Sequence, residues 1–282
     1  TEFAQVVEDQ LDLLRRLREQ RLDIGVATAE IARAINDGEI VPWYQPVVDL
    51  DSGAIVGFEA LARWDHPIRG LDDPRRFIPV AEDSDLIVDL DLAVIRQALA
   101  EFARWLQTHP DLRLSVNLSA RHLHSPDSAG LLMDSVTEAG VRPESITLEL
   151  TETIAIDVRD GSIPRMVAQL RQAGFQVWLD DFGTGWSSLE QLLWLSVDGI
   201  KIDRAVAVAL GTPVGDALTS AVTGLAVALG LRTTIEGIET AAQADRARER
   251  GCDYGQGYLW SRPVSGADAA DLLGAVAVAV DA

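Results

Sequence analysis

Apolar runs with strand character recur along the chain at 43–50, 55–63, 112–118, 146–151, 176–181, 198–203, 232–237 and 254–260. Between most of them the apolar positions fall three and four apart instead, which predicts helices over 90–107, 131–139, 163–173, 187–195, 214–229, 240–250 and 266–280. Strand and helix in alternation imply parallel strands joined by crossover helices. About eight such strands in roughly 250 residues predict an α/β fold, a modified TIM-type (β/α)8 barrel. The modification lies at the start. Only Asp51-Ser52-Gly53 separate the first two strands, a hairpin-length connection, so an antiparallel first strand is expected. A doubly wound open sheet is the alternative, but no Gly-rich phosphate fingerprint follows an early strand. Ahead of the barrel, Phe3, Val7, Leu14 and Leu17 mark a helix over 3–24, interrupted by Gln10 and Arg21. It reads as a docked amphipathic helix or a coiled-coil linker. Residues 1–27 are thus taken as an N-terminal helical linker and 28–282 as the barrel domain.

Active sites of such barrels gather at the carboxyl ends of the strands, and here those ends are polar. In chain order they carry Glu59, Asn117, Glu149 with Glu152 just beyond, Asp180 with Asp181, Lys201 with Asp203, Glu236 followed by Glu239, and Gln256. Each alone has a mild explanation as a turn residue, a helix cap, a snorkelling cation or a salt-bridge partner. Charged residues are rarely buried unless paired or metal-bound, so their recurrence on one rim predicts a single site. All-oxygen ligands select hard cations, magnesium or manganese. The four histidines lie off these strand ends and no HExxH pattern exists, which disfavours a zinc hydrolase. Adjacent carboxylates such as Asp180 and Asp181 repel each other. Two divalent ions, one bridging and one terminal, would remove that cost and form a clamp about 3.5–4 Å wide for attack on phosphorus. Calcium is expected to occupy the site and inhibit, because its bonds are longer and its geometry looser. Arg63, four residues after Glu59, presents a fork that matches phosphate, or is an ordinary surface arginine.

Charge narrows the partners. With 44 acidic and 24 basic residues the formal charge is −20, which argues against DNA and anionic membranes, where attraction to phosphate dominates. The single cysteine, Cys252, allows neither an internal disulfide nor a Cys-based zinc site and suits a reducing, cytoplasmic setting. The longest apolar candidate, Ala217–Leu229, is too short to span a membrane. Because the chain begins at Thr1, it is expected to be part of a longer protein.

Taken together, YQPVVDL, FEALARW, SVNLSA, ELTET, LDDFGTG, IKIDR, IEGIET and GCDYGQGYLWSRP resemble, in order and spacing, the EAL-domain family of cyclic-di-GMP phosphodiesterases, from about Thr28 to Gly266. The resemblance implies hydrolysis of one phosphodiester of cyclic di-GMP to linear pGpG. It implies that Glu59, Asn117, Glu149 and Asp180 hold one metal, and that Asp180 bridges to a second shared with Asp181 and Glu236. Lys201 would position the attacking water, Glu152 would steady the loop after Asp181, and Glu239 would support Lys201. Gln256 would lie near the water or substrate, and Gln45 and Arg63 would contact the dinucleotide. Trp186 and Ile235 depart from the family pattern, the first in the loop after Asp181, the second where it could crowd the second metal. A homodimer through the 187–195 helix is expected, with an upstream sensor or diguanylate cyclase domain in the full-length protein. The competing reading is a receptor module that binds cyclic di-GMP without cleaving it. It is disfavoured because no metal ligand of the pattern is missing.

Overall fold

The computed structural model describes residues 27–150, 161–183 and 187–280. The expected linker helix over 3–24 lies outside the described residues, as do Glu152 and Trp186. The chain divides into two compact units, Thr1–Val41 with Arg63–Ala93 and Pro42–Ala62 with Val94–Ala282.

The larger unit is the barrel. Its strands are most of β1 (Ile40–Asp49, from Pro42) and of β2 (Ile55–His66, to Ala62), with β4 (Arg113–Leu118), β5 (Ile146–Leu150), β6 (Gln176–Phe182), β7 (Gly199–Ile202), β8 (Arg232–Ile235) and β9 (Tyr254–Gln256); the short β3 (Gly70–Asp72) belongs to the other unit. The order β1-β9-β8-β7-β6-β5-β4-β2 closes on itself because β1 also pairs with β2. From β2 through β9 the neighbours in the ring are parallel, whereas β1 meets β9 antiparallel, with Val47 opposite Gln256. This is the expected barrel with a reversed first strand.

Local chemistry sets the element ends. In α9 (Pro213–Leu229), Thr212 accepts a hydrogen bond from the Gly215 N–H, Pro213 occupies the first turn, and Gly230 closes the helix in the left-handed region. Thr240 and Gln243 form a reciprocal capping box at the start of α10 (Ala241–Glu249). Asp203, one of the strand-end acids, turns out to be a cap: its Oδ1 accepts from the Ala205 N–H at 2.6 Å and opens α8 (Arg204–Val208).

In the smaller unit, Trp64 organises the packing. Its indole N–H donates to Glu39 at 3.0 Å, Glu39 is held by Arg33 at 2.6 Å, the Arg69 guanidinium lies 5.0 Å above the indole, and Phe77 meets it edge-on. Among the described residues, no helix is long and apolar enough to cross a membrane.

Candidate active site

Alternation along each strand sends every second side chain to the barrel interior. Near the mouth this set is polar: Gln45, Glu59, Asn117, Asp180, Glu236 and Gln256 line a cavity of about 340 Å³. Two residues further down each strand lies a second inward set, which includes Val47, Ser115, Thr147, Trp178, Thr234 and Tyr254. It surrounds a smaller cavity of about 30 Å³ roofed by Glu149, Lys201 and Gln256. β5 is buried at all five positions, so Glu149 is a carboxylate inside a fully buried strand.

One ammonium holds this mouth together. Lys201 Nζ lies 2.5 Å from Glu236 Oε1, 2.7 Å from Glu149 Oε2, and 3.3 Å from both Glu59 Oε2 and Asp180 Oδ1. Its side chain is only 2% exposed. Glu59 is further fixed by two amides, accepting from Asn117 Nδ2 at 2.9 Å and from Gln256 Nε2 at 2.7 Å. Gln256 Nε2 also donates to Gln45 Oε1 at 3.2 Å, and Gln45 Nε2 to the Ser261 carbonyl at 3.1 Å.

Adjacent aspartates on a regular strand would point to opposite faces. Here the pairing of β6 with β7 shifts between Leu179 and Phe182, and Asp181 adopts φ 56°, a left-handed backbone that residues other than glycine seldom take. The Asp181 N–H donates to Asp180 Oδ1 at 2.9 Å. Alternation is broken, and one oxygen each from Asp180, Asp181 and Glu236 fall within 4.8 Å of one another.

The charges respond to this crowding. Burial alone would lower the Lys201 pKa, but Asp180, Glu149, Glu236 and Glu59 outweigh it and keep the ammonium charged. Burial would raise Glu59, yet the Lys201 charge and the hydrogen bonds from Gln256 and Asn117 hold it below the usual range. Glu149 is driven well above that range by burial and by the Glu59 charge. Burial pushes Glu236 up to about 7, against Lys201 and with the Asp180 and Glu59 charges. Burial and the Asp180 and Asp203 charges push Asp181 up to about 6. The sign for stability follows. Between the ordinary values of 4.5 and 3.8 and these raised ones, the folded metal-free protein binds protons that the unfolded chain has released, so stability falls as pH rises. In chelator, melting temperature is expected to be higher near pH 5.5 than near pH 8, and saturating magnesium or manganese should flatten that slope. A metal-free melting temperature that climbed over this interval would contradict the assignment.

The remaining sequence-derived residues fall in different places. Gln45 joins the mouth. Arg63 belongs to the smaller unit, where its charge, behind the stronger contact from Arg75, helps hold the Asp73 carboxyl below the usual range. Glu239 is exposed and pairs with Arg204 at 2.7 Å, whereas the carboxylates around Lys201 are Glu59, Glu149, Asp180 and Glu236. Ile235 does not crowd the acids: alternation turns it away from the interior, into a core with Ile202, Val206 and Ile238. Sequence reasoning missed Arg204 and Tyr258, which line the mouth cavity, and Arg262, whose guanidinium lies 4.2 Å from the Tyr258 ring centre. Arg204 directly follows the Asp203 cap and Tyr258 stands two residues after Gln256, so proximity to assigned positions was the available signal.

Comparison with known proteins gives a consistent picture. The sequence model of the EAL domain matches residues 28–263. The probable cyclic di-GMP phosphodiesterase PdeB of Escherichia coli K12 is 40% identical over 229 residues, covering 81% of this chain and 43% of PdeB. The chain therefore spans less than half the length of this relative. Among solved structures, the PaMucR phosphodiesterase in complex with c-di-GMP superposes with a TM-score of 0.80 at 33% identity, covering 86% of this chain and 99% of that one. The manganese and cyclic-di-GMP complex of Klebsiella pneumoniae BlrP1 gives 0.71 at 30% identity, covering 81% and 57%.

Proposed function

We propose that this chain, which belongs to the EAL domain family, is a metal-dependent phosphodiesterase that hydrolyses one phosphodiester of cyclic di-GMP to linear pGpG. The observation that carries this reading is the convergence of Glu59, Glu149, Asp180 and Glu236 on Lys201, the cation they share, with Asp181 beside Asp180 and Glu236. A single ammonium leaves most of that negative charge unbalanced, and the donors are all oxygen, so the residues suit hard divalent ions. Glu59, Asn117, Glu149 and Asp180 would hold one, and Asp180, Asp181 and Glu236 a second, magnesium or manganese. When bound, such ions supply Lewis-acid polarisation of the phosphoryl group and ease deprotonation of water.

The chain's own groups do the rest. Lys201, immobilised by four carboxylates, orients the water that adds to phosphorus and holds the developing negative charge. As the water oxygen bonds to phosphorus the bond to the ribose oxygen breaks, and that oxygen takes up the proton the water gives up. Gln256 and Asn117 keep Glu59 in place. Gln45, Arg63 and Arg204 are assigned to the dinucleotide, with Tyr258 offering a ring at the rim. Glu239 acts by holding Arg204, and Glu152, outside the described residues, is assigned to the loop after Asp181. Regulation is assigned to a sensor or diguanylate cyclase domain of a longer protein. A homodimer is assigned to α7 (Ser187–Trp194), where Leu193 and Trp194 are 80% and 54% exposed.

The test is incubation of the purified chain with cyclic di-GMP and magnesium or manganese, followed by product chromatography. Linear pGpG that disappears in chelator and in calcium is the expected result. Saturable binding without cleavage would instead establish the receptor module.

A further inference from the structure

We propose that the small cavity beneath the mouth binds an ordered water that bridges Trp178 and Gln256 and fixes the Gln256 amide toward Glu59. Trp178 is the inward residue of β6 two positions before Asp180, and it pairs in register with Gly199 on β7. A Cβ at Gly199 would sit 2.4 Å from the indole, so the ring lies across the space that glycine leaves. The indole is therefore clamped in the floor of the barrel.

Among the described residues, two buried polar atoms there have no protein partner. Trp178 Nε1 is a donor without an acceptor, and Gln256 Oε1 is an acceptor without a donor. Both side chains line the same 30 Å³ cavity, together with Ser115, Thr147 and Thr234. A buried indole N–H and a buried amide oxygen normally find partners. The space exceeds the roughly 10–15 Å³ that one water needs, and a buried water takes two to four polar contacts. Such a water accepts from Trp178 Nε1 and donates to Gln256 Oε1, with the neighbouring hydroxyls completing its shell.

The bridge selects one orientation of Gln256. Its Nε2 already donates to Glu59 Oε2 at 2.7 Å and to Gln45 Oε1 at 3.2 Å. Reversing the amide would set its oxygen against the Glu59 carboxylate and its donors toward the indole N–H. Trp178 is thus a positioning residue for Glu59, acting through the water and Gln256. The water site stands without the proposed activity; only the importance of Glu59 as a metal ligand rests on that reading.

The experiment uses the metal-free, substrate-free chain, so its outcome is separate from any assay of hydrolysis. A high-resolution crystal structure is expected to place water within hydrogen-bond distance of both Trp178 Nε1 and Gln256 Oε1. In rotating-frame NMR the Trp178 indole proton should show a cross-peak to water and slow deuterium exchange. Trp178→Phe, which keeps the ring and removes the N–H, identifies that resonance among the seven tryptophans. In this variant the bridging water should be lost. A cavity without density, or an indole proton with no water cross-peak, overturns the proposal, and the wild-type measurements decide even if the variant fails to fold.

Discussion

Lys201→Ala is expected to lower turnover by roughly 10²–10³-fold or more, the range seen when a preorganised donor to developing negative charge is removed. Its effect on the fold should be as informative. The substitution deletes the one cation shared by Glu59, Glu149, Asp180 and Glu236, and stripping the partner from a buried ion pair costs about 3–5 kcal/mol. In chelator the variant should therefore melt well below the parent. Magnesium or manganese should recover part of that loss, because divalent ions can balance the same carboxylates. Calorimetry should still detect metal binding while product formation is lost. Wild-type turnover, or a folded variant blind to metal, would show that Lys201 is misassigned.

Asp180→Ala should be the most damaging single change to metal binding. Asp180 and Glu236 both belong to the Lys201 cluster and to the Asp180–Asp181–Glu236 group, but only Asp180 is assigned to both proposed ions. Removing partners that merely support a metal ligand already costs 10–100-fold in affinity or activity, so loss of a shared ligand should cost at least about a hundredfold in affinity. The metal-induced rise in melting temperature should vanish at concentrations that saturate the parent. The metal-free fold should suffer less, because relief of repulsion with Asp181 offsets the lost hydrogen bond from its N–H, worth about 1 kcal/mol. A variant that keeps the parent's metal-dependent thermal shift would remove Asp180 from the ligand set.

The barrel and most of its polar mouth were legible because a period of two survives along a strand. Glu59, Asn117, Glu149 and Lys201 sit inside regular strands, where alternation and the carboxyl-end rule place a side chain without further information. Beyond the strand ends that rule lapses. Asp203 became a helix cap, and Glu239, assigned by resemblance to Lys201, pairs with Arg204 instead. Ile235 was misjudged for the opposite reason, since alternation applied and turned it outward. The left-handed backbone of Asp181 was not legible, because no local preference signals it at an aspartate and only the shifted β6–β7 pairing requires it. Nor could spacing show that one ammonium touches four carboxylates, a relation that exists only after closure. Elements of three to six residues, such as β3, α2 (Ile78–Asp83) and α8, were missed because less than two turns carries too little periodicity.

The reversed first strand also bears on how the molecule comes into being. The seam that closes the ring joins Val47 to Gln256, two segments made at nearly opposite times during translation. Contacts so remote in sequence carry a high loop-closure cost and tend to form late. Until β9 emerges from the ribosome, β1 and β8 remain open edges, which invite pairing with other chains, and Glu59 lacks the amide of Gln256. Catalytic competence is thereby coupled to near-complete synthesis of the barrel, and a nascent or prematurely terminated barrel cannot assemble a working mouth.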